Sequence, residues 1–477
     1  MDGFSTPRSQ QKGSALKWSK ALKSDKSSHG GVHARKPAPA KPASAPKAQP
    51  AAPPKPGSIA FEKLIKRQIL GRPQVGLVRF PRGLGDLCLG EIQSLLSHSR
   101  VDGADEAHCE LTANCVQISN VSLRTLLALT AQLTTARELL WVVGEGRAGS
   151  IGEIKDRCAA VPWPLLLPRG AALGLRVASL ASHVFHEGKV AELVTKALAK
   201  HGIQEVPKAN AKQLLDVRLI EDRITFALSL AGRPLYQRRY KKTLVGTATV
   251  KEDIAAACIR ATLLFAVEQQ GADFRPGQIL APFAGSGTLG FEAAIALQRI
   301  PPWLFFGPLG AELFPCTPQP TMEFMRRASL IKMHERSDEQ FAVTFIENDA
   351  AQIPALRANA TNFNEHLAAH GCEVVNFSVI HSDFFECTWP YQPGSLLFAI
   401  NPPYGLRLED RPHIERLYPR LAKTISGAPG SLAGFVLAPT EAVAQRFATG
   451  LKGMATHVRP FIHGGRTVYL VVFSRSK

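Results

Sequence analysis

The stretch GQILAPFAGSGTLGFEAA, residues 277–294, decides the fold. It begins with an apolar run that predicts a buried strand, and it passes through a glycine-rich turn into a helix. Glycines let the backbone turn tightly and approach a ligand closely, and the amino terminus of the following helix points at that ligand. The G-x-G-x-x-G spacing in it is a weak signal alone, because a tight turn without a ligand has the same pattern. The segment predicts a strand–turn–helix unit that can hold a ligand where its strand ends.

Strands and helices alternate along the rest of this half of the chain. Apolar runs predict the strands at residues 277–283, 341–347, 374–380, 395–400 and 431–437. The end of the chain reads as a hairpin around Gly464 and Gly465. The alternation predicts an α/β fold over residues 236–477, with a doubly wound, mostly parallel, Rossmann-like sheet and a C-terminal antiparallel hairpin.

The first half has a different organisation. Short strands and helices without a glycine-rich turn predict an α+β region over residues 73–235. Residues 1–72 are expected to form a disordered tail rich in proline, alanine and lysine, with ordered structure beginning near Gln74. The segment 37–57 has eight prolines and no acidic residue, so it cannot bury a core.

The tail carries much of the positive charge. The chain has 57 Lys and Arg against 39 Asp and Glu, a net charge of +18. Residues 1–57 hold eleven of the basic residues and two acids, so nine of the net charges lie there. A charge of this size indicates a polyanionic partner, either nucleic acid or an anionic membrane surface. The tail is then either a spacer or a basic arm that concentrates the chain on RNA or DNA phosphates.

Several protein classes are disfavoured. The sequence has no run of 18 apolar residues, which argues against a membrane span, and no apolar run after its basic start, which argues against a secretory signal. The eight cysteines form no CxxC pair and have no histidines at zinc-finger spacing, so we expect free thiols and no structural metal. These features together predict a cytoplasmic protein.

Acidic residues follow the next two predicted strands. A carboxylate at Glu347 can accept both hydroxyls of a ribose, as suits an adenosine-containing cofactor. In a nicotinamide-binding unit this acid lies about 20 residues after the glycines, whereas Glu347 follows Gly290 by 57 residues. Asp383, after the third strand, can accept from an adenine amine. Taken singly, Glu347 also fits a solvated loop acid and Asp383 a helix cap or turn residue.

The sharpest signal is NPPYG at residues 401–405, after the fourth strand. Its two prolines fix φ and remove two N–H donors, leaving a rigid loop whose carbonyls point outward. The side-chain oxygen of Asn401 and the carbonyl of Pro402 can both accept from one exocyclic NH₂, and Tyr404 offers a face for stacking on a base. Two aligned acceptors localise the amine lone pair and stabilise the positive charge that develops as the nitrogen attacks.

These motifs together resemble class I S-adenosylmethionine methyltransferases that act on exocyclic amines. From about Val75 the chain is similar to the bacterial large-subunit rRNA guanine-N2 methyltransferase family, which is RlmL-like and has a THUMP domain. The resemblance lies in the segments FPRGLGDLCLGEI (80–92), RRYKKTLVGTATVKEDIAAACI (238–259), LAPFAGSGTLGFEAA (280–294), IENDAAQIPALRANA (346–360) and NPPYGLRL (401–408).

The resemblance implies roles for individual residues. They are a cofactor loop at Pro282, Phe283, Ala284, Gly285 and Gly287, ribose binding by Glu347, adenine binding by Asp383, and a catalytic loop at Asn401, Pro402, Pro403 and Tyr404. It further implies an RNA-binding THUMP domain at about residues 110–230 and a single catalytic domain that needs no metal. The chain departs from the family at Ala281, where the family has Asp, and so lacks a carboxylate near the charged end of the cofactor.

The resemblance thus predicts methyl transfer from S-adenosylmethionine to the N2 amine of a guanine in 23S rRNA or a large-subunit precursor. Alternatives remain open on the residues alone. They are a tRNA guanine-N2 methyltransferase, an adenine-N6 methyltransferase, and an RNA-binding ribosome assembly factor whose site has lapsed, for which Ala281 is the argument. An oxidoreductase is disfavoured by the position of Glu347 and by the NPPY loop.

Overall fold

The computed structural model describes residues 54–98, 106–242, 250–334, 341–388, 395–404 and 411–476. Most of the predicted tail, residues 1–53, and Gly405 of the NPPYG motif lie outside these ranges. The described residues all belong to one compact unit.

The described helices are short to medium in length, and α1 continues directly into a wider, π-helical turn. In chain order they are α1 (Ile59–Ile65), α2 (Gly85–Ser97), α3 (Leu123–Gln132), α4 (Ile151–Ala160), α5 (Trp163–Leu166), α6 (Glu187–Ala199), α7 (Glu252–Gln270), α8 (Thr288–Gln298), α9 (Gln319–His334), α10 (Ile353–Ala368), α11 (Arg411–Ser426) and α12 (Glu441–Gly450). A π-helical turn at Lys66–Leu70 extends α1, and 3₁₀ turns lie at Lys208–Asn210, Pro302–Phe305 and Gly310–Leu313.

The strands form two sheets among the described residues. They are β1 (Gln74–Arg79), β2 (His108–Leu111), β3 (Val116–Val121), β4 (Glu138–Arg147), β5 (Ala172–Leu180), β6 (Gln204–Glu205), β7 (Gln213–Ile220), β8 (Arg223–Ser229), β9 (Pro276–Pro282), β10 (Ala342–Glu347), β11 (Asn376–His381), β12 (Ser395–Ile400), β13 (Leu432–Ala438), β14 (Ala455–His463) and β15 (Arg466–Arg475).

The first sheet belongs to the N-terminal α+β region. Its order is β2-β3-β1-β4-β8-β7-β5-β6, with antiparallel neighbours except for β5, which runs parallel to both β7 and β6. β7 and β8 are the two strands around a turn that the sequence predicted. The α+β character of this region therefore agrees with the sequence analysis.

Ordered structure begins earlier than the predicted start near Gln74. Residues 59–70 are helical, and they bury Phe61, Ile65 and Ile69 against the core. These three apolar residues recur every four positions and so share one helical face. The stripe was missed because lysines and arginines separate its members and the preceding segment is rich in proline.

The second sheet has the order β11-β10-β9-β12-β13-β15-β14. The first five strands are parallel, and β15 pairs antiparallel with both β13 and β14. The chain leaves the central strand β9 in one direction through β10 and β11, and then returns to β12 on its other side. This reversal makes the β9/β12 boundary the point where ligands bind in open α/β sheets. The doubly wound sheet and its C-terminal hairpin are as predicted.

Apolar layers cover both faces of this sheet. One layer includes Ala281 of β9 with side chains of α7, α8 and α10. The other includes Leu280 of β9 with side chains of α11 and α12. Because successive strand residues point to opposite faces, the near-continuous apolar sequence of β9 satisfies both layers.

Candidate functional site

The glycine-rich turn after β9 has an unusual backbone. Phe283, Gly285 and Gly287 adopt φ values of 55°, 53° and 87°. A Cβ atom at Gly287 would lie 2.5 Å from the ring of Phe291 and 2.7 Å from Leu356, so this position requires glycine for its space as well as its φ. Phe283 holds the left-handed conformation without being glycine, a strain that proteins concentrate at functional sites.

Glu347, at the end of β10, holds this turn. Its Oε2 accepts a hydrogen bond of 2.7 Å from the backbone N–H of Gly285, and its Oε1 accepts one of 2.9 Å from the N–H of Asp349. Each carboxylate oxygen has a further lone pair. The carboxylate of Glu347 can therefore fix the turn and, at the same time, accept hydrogen bonds from hydroxyl groups.

Asn359 of α10 supports the glycine-rich turn from the buried side. No motif in the sequence had assigned a role to this residue. It is fully buried, its amide donates to the carbonyl of Ser286 at 3.2 Å, and its Oδ1 accepts from the N–H of Lys242 at 3.0 Å. A polar side chain on the apolar face of a predicted helix was the available signal. Its partners are 73 and 117 residues away along the chain, and no local pattern reveals them.

Asp383 lies in the turn after β11. Its Oδ1 accepts from the N–H of Phe385 at 2.8 Å, so it fixes the turn as the simpler reading predicted. The turn contacts the glycine-rich loop, because the rings of Phe384 and Phe385 lie 6.3 and 6.4 Å from that of Phe283. The backbone N–H of Ser382 also donates to the carbonyl of Glu347. The two acidic strand ends and the glycine turn thus form one connected edge.

The NPPY loop follows β12, the neighbour of β9. Pro402 is buried and Pro403 is exposed. Oδ1 of Asn401 and the hydroxyl of Tyr404 are buried without a hydrogen-bond partner among the described residues. Burial raises the pKa of Tyr404 above its ordinary value, with a smaller contribution from Cys258, so the hydroxyl stays protonated. Buried polar atoms are rarely left unpaired, which indicates that this loop is built for a ligand with hydrogen-bonding groups.

The structure therefore brings the predicted residues of the glycine turn, Glu347, Asp383 and the NPPY loop to one edge of the sheet. Ala281 lies 1% exposed in the apolar layer under this edge, and its methyl group supplies no carboxylate there. A Cβ atom at Gly285 would meet nothing within 4 Å, and Oδ1 of Asn401 has no partner among the described residues, so this edge fits a nucleoside cofactor lying beside an amine.

The described residues contain no cluster of three or more His, Cys, Asp or Glu side chains placed to bind a metal ion. They also contain no helix of the length and hydropathy that a membrane span requires.

Residues 239–458 match the model of the UPF0020 family, the RMKL-like methyltransferase domain. A curated relative, the ribosomal RNA large subunit methyltransferase K/L of Shewanella frigidimarina, is 26% identical over 313 residues, which are 63% of this chain and 41% of that protein. The chain thus matches less than half the length of this relative. The resemblance that the motifs predicted is confirmed for residues 239–458.

Solved structures confirm the predicted class I methyltransferase fold. The crystal structure of SMU.472, a putative methyltransferase complexed with SAH, has a TM-score of 0.66 and 20% identity, over 85% of this chain and 99% of that one. A predicted N6-adenine-specific DNA methylase from Listeria monocytogenes has a TM-score of 0.65 and 20% identity, over 88% and 98%. At this identity the likeness concerns the fold, and it extends over the N-terminal sheet as well as the catalytic one.

Proposed function

We propose, because residues 239–458 match the RMKL-like methyltransferase domain model, that this chain is an S-adenosylmethionine-dependent RNA methyltransferase. Its substrate is the exocyclic N2 amine of a guanine in 23S rRNA or in a large-subunit precursor. The observation that carries the proposal is the buried Oδ1 of Asn401, directly after β12, which has no hydrogen-bond partner among the described residues. An acceptor in that position suits an amine donor, and the rigid prolines beside it hold it in place.

The cofactor would lie across the carboxyl ends of β9, β10 and β11. The turn from Pro282 to Gly287 would surround the cofactor, with Phe283 and Ala284 in the wall of the pocket. Glu347 would accept hydrogen bonds from the ribose of the cofactor, and Asp383 would accept one from its adenine. Bound there, S-adenosylmethionine supplies a methyl group already activated by the positive sulfonium. Ala281 contributes no charge, so the affinity depends on the turn and on the two remaining carboxylates.

The protein's contribution to the reaction is mainly alignment. Asn401 Oδ1 and the carbonyl of Pro402 accept from the amine, direct its lone pair at the methyl carbon and stabilise the charge that develops on nitrogen. Pro403 keeps the loop rigid, and the ring of Tyr404 stacks on the base. A base must leave its stack to enter such a site.

The N-terminal region would hold the surrounding RNA. We assign residues 73–235 to this region, with a THUMP domain at about 110–230, and residues 236–477 to catalysis, in a protein that acts in the cytoplasm. The tail before residue 54 would add phosphate contacts through its lysines.

Nucleoside analysis tests the reaction directly. We expect the purified chain, with labelled S-adenosylmethionine and unmodified 23S rRNA, to form N2-methylguanosine, identified by mass spectrometry. N6-methyladenosine would replace the guanine assignment by the adenine one, and product formed on tRNA alone would move the substrate to tRNA. Absence of both transfer and cofactor binding would favour a lapsed enzyme that acts as an assembly factor.

Replacing Glu347 by glutamine should weaken binding of S-adenosylmethionine about 10- to 100-fold. The amide keeps one acceptor but turns a donor toward the N–H of Gly285 or of Asp349, and it removes the charge that strengthens bonds to ribose hydroxyls. Isothermal calorimetry gives the dissociation constant. Glu386→Gln is the matched control, because Glu386 is exposed near the end of the neighbouring strand. Equal affinity in the Glu347 variant and the wild type would remove Glu347 from the cofactor site.

A further inference from the structure

A pair of cations converges on one aromatic ring at the boundary between the two sheets. Nζ of Lys251 lies 4.7 Å from the ring centre of Tyr236, and the guanidinium carbon of Arg137 lies 5.9 Å from it. Such cation–π contacts hold a cation in a defined position at little cost in hydration. We call Arg137, Tyr236 and Lys251 the cation pair site.

Each member of the site is fixed by its own element. Arg137 directly precedes β4, and its Nε donates to the buried carboxylate of Asp253 at 2.9 Å. The N–H of Leu235, next to Tyr236, donates to the carbonyl of Arg137 at 2.9 Å. Lys251 is the N-cap residue of α7 and makes no side-chain cap bond, and it is exposed to solvent. Its ammonium is therefore held over the ring but open to a ligand.

The cation pair site lies beside the NPPY loop. His463, at the end of β14, makes an edge-on ring contact with Tyr404 at 6.5 Å. The pKa of His463 is lowered, first by burial and then by the positive charges of Lys251 and Arg137. The backbone N–H of Arg137 donates to the carbonyl of Arg79 at 2.7 Å, and the carbonyl of Arg82, three residues further on, accepts from the N–H of Ile462, next to His463. These contacts join Arg137 to the hairpin that carries His463, and His463 contacts the ring that would stack on the target base.

Further cations flank this surface. Arg466 pairs with His463 across the hairpin, and the backbone carbonyl of Arg82 accepts from the N–H of Ile462 at 2.9 Å. Arg82 and Arg466 are both exposed. Several cations near a base pocket suit an extended polyanionic strand better than a small molecule.

We propose that the cation pair site binds a backbone phosphate of the RNA strand next to the nucleotide that enters the NPPY loop. Tyr236 acts as a positioning residue that holds Lys251 near Arg137. This inference rests on the proposed function for its substrate class. It is tested by binding in the absence of cofactor, so its failure is separable from a failure of methyl transfer.

The experiment measures the salt dependence of RNA affinity. The probe is a short, end-labelled, single-stranded RNA of mixed sequence, titrated with the full chain at several salt concentrations and followed by fluorescence anisotropy. The slope of log K against log salt is negative, and loss of one phosphate contact on a single strand decreases its steepness by about 0.7. We expect this decrease for Lys251→Gln, with a several-fold weaker affinity at low salt, and near-wild-type values for Lys251→Arg.

Matched variants make the result decisive. Lys452→Gln should keep the wild-type slope. Lys452 is exposed just before the first residue of β14, whereas His463 is the last residue of that strand. The length of β14, about 25 Å at 3.3 Å per residue, separates the two. Tyr236→Leu should lower the slope like Lys251→Gln, whereas Tyr236→Phe keeps the ring and the wild-type slope. An unchanged slope in Lys251→Gln, or an equal decrease in Lys452→Gln, would overturn the proposal.

Discussion

Asn401→Ala is expected to lower kcat for methyl transfer to RNA by about 10²–10³-fold or more, while the affinity for S-adenosylmethionine stays close to wild type. Removal of one preorganised group that stabilises developing charge has an effect of this size. The buried Oδ1 of Asn401 lacks a partner among the described residues, so its removal breaks no hydrogen bond between this atom and that part of the chain. The loss should therefore appear in the transfer step.

The measurement is single-turnover methyl transfer combined with calorimetry of cofactor binding. Asn376→Ala is the matched control, because Asn376 is exposed at the first residue of β11, at the opposite edge of the sheet from the site. Transfer at the normal rate by the Asn401 variant would disprove the role of the NPPY loop. Loss of cofactor affinity equal to the loss of rate would assign Asn401 to the cofactor and not to the amine.

The residues of this edge were predictable because parallel topology brings distant strand ends together. Once residues 277–294 and the following alternation predict a parallel sheet, the residues after each strand must meet at its carboxyl edge. The shared position of Glu347, Asp383 and Asn401 at this edge could therefore be predicted without any contact information. The confirmed order, with β9 beside β12, places the glycine turn next to the NPPY loop.

Other features depend on contacts that a linear pattern does not carry. Gly83 of the FPRG segment looks like an ordinary turn glycine, yet a Cβ there would lie 2.8 Å from the Cα of Phe461 in the C-terminal hairpin. The role of Asn359 likewise follows from two partners far along the chain. The cation pair site assembles from Arg137, Tyr236 and Lys251, whose sequence neighbours give no reason to expect their meeting.

A buried ion pair is the clearest example, and it carries the largest expected effect on stability. Arg238, in the segment that leads into the catalytic sheet, pairs with Glu292 of α8, and both side chains are fully buried. Arg238 also donates to the carbonyl of Thr134 at 2.7 Å, and the hydroxyl of Tyr240 donates to Glu292 at 2.5 Å. The pair thus ties the helix after the glycine turn to the N-terminal region.

Glu292→Gln should lower the free energy of unfolding by about 3–5 kcal/mol, because it leaves the guanidinium of Arg238 buried without a counter-charge. The amide oxygen can still accept from Tyr240, so the change tests the charge with little change in shape. Denaturant unfolding followed by circular dichroism gives the free energy.

The double variant Arg238→Met with Glu292→Gln should recover much of the loss, since apolar packing replaces a buried pair with little net cost once both charges are gone. Glu365→Gln is the control. Glu365 pairs with Lys242, which lies on the same segment as Arg238, but both side chains of this pair are more than half exposed. Exposed ion pairs contribute little to the free energy of unfolding. A Glu292 variant as stable as the Glu365 variant would show that solvent reaches Arg238. The pair would then have no part in joining the two regions, because a guanidinium in contact with water needs no buried partner.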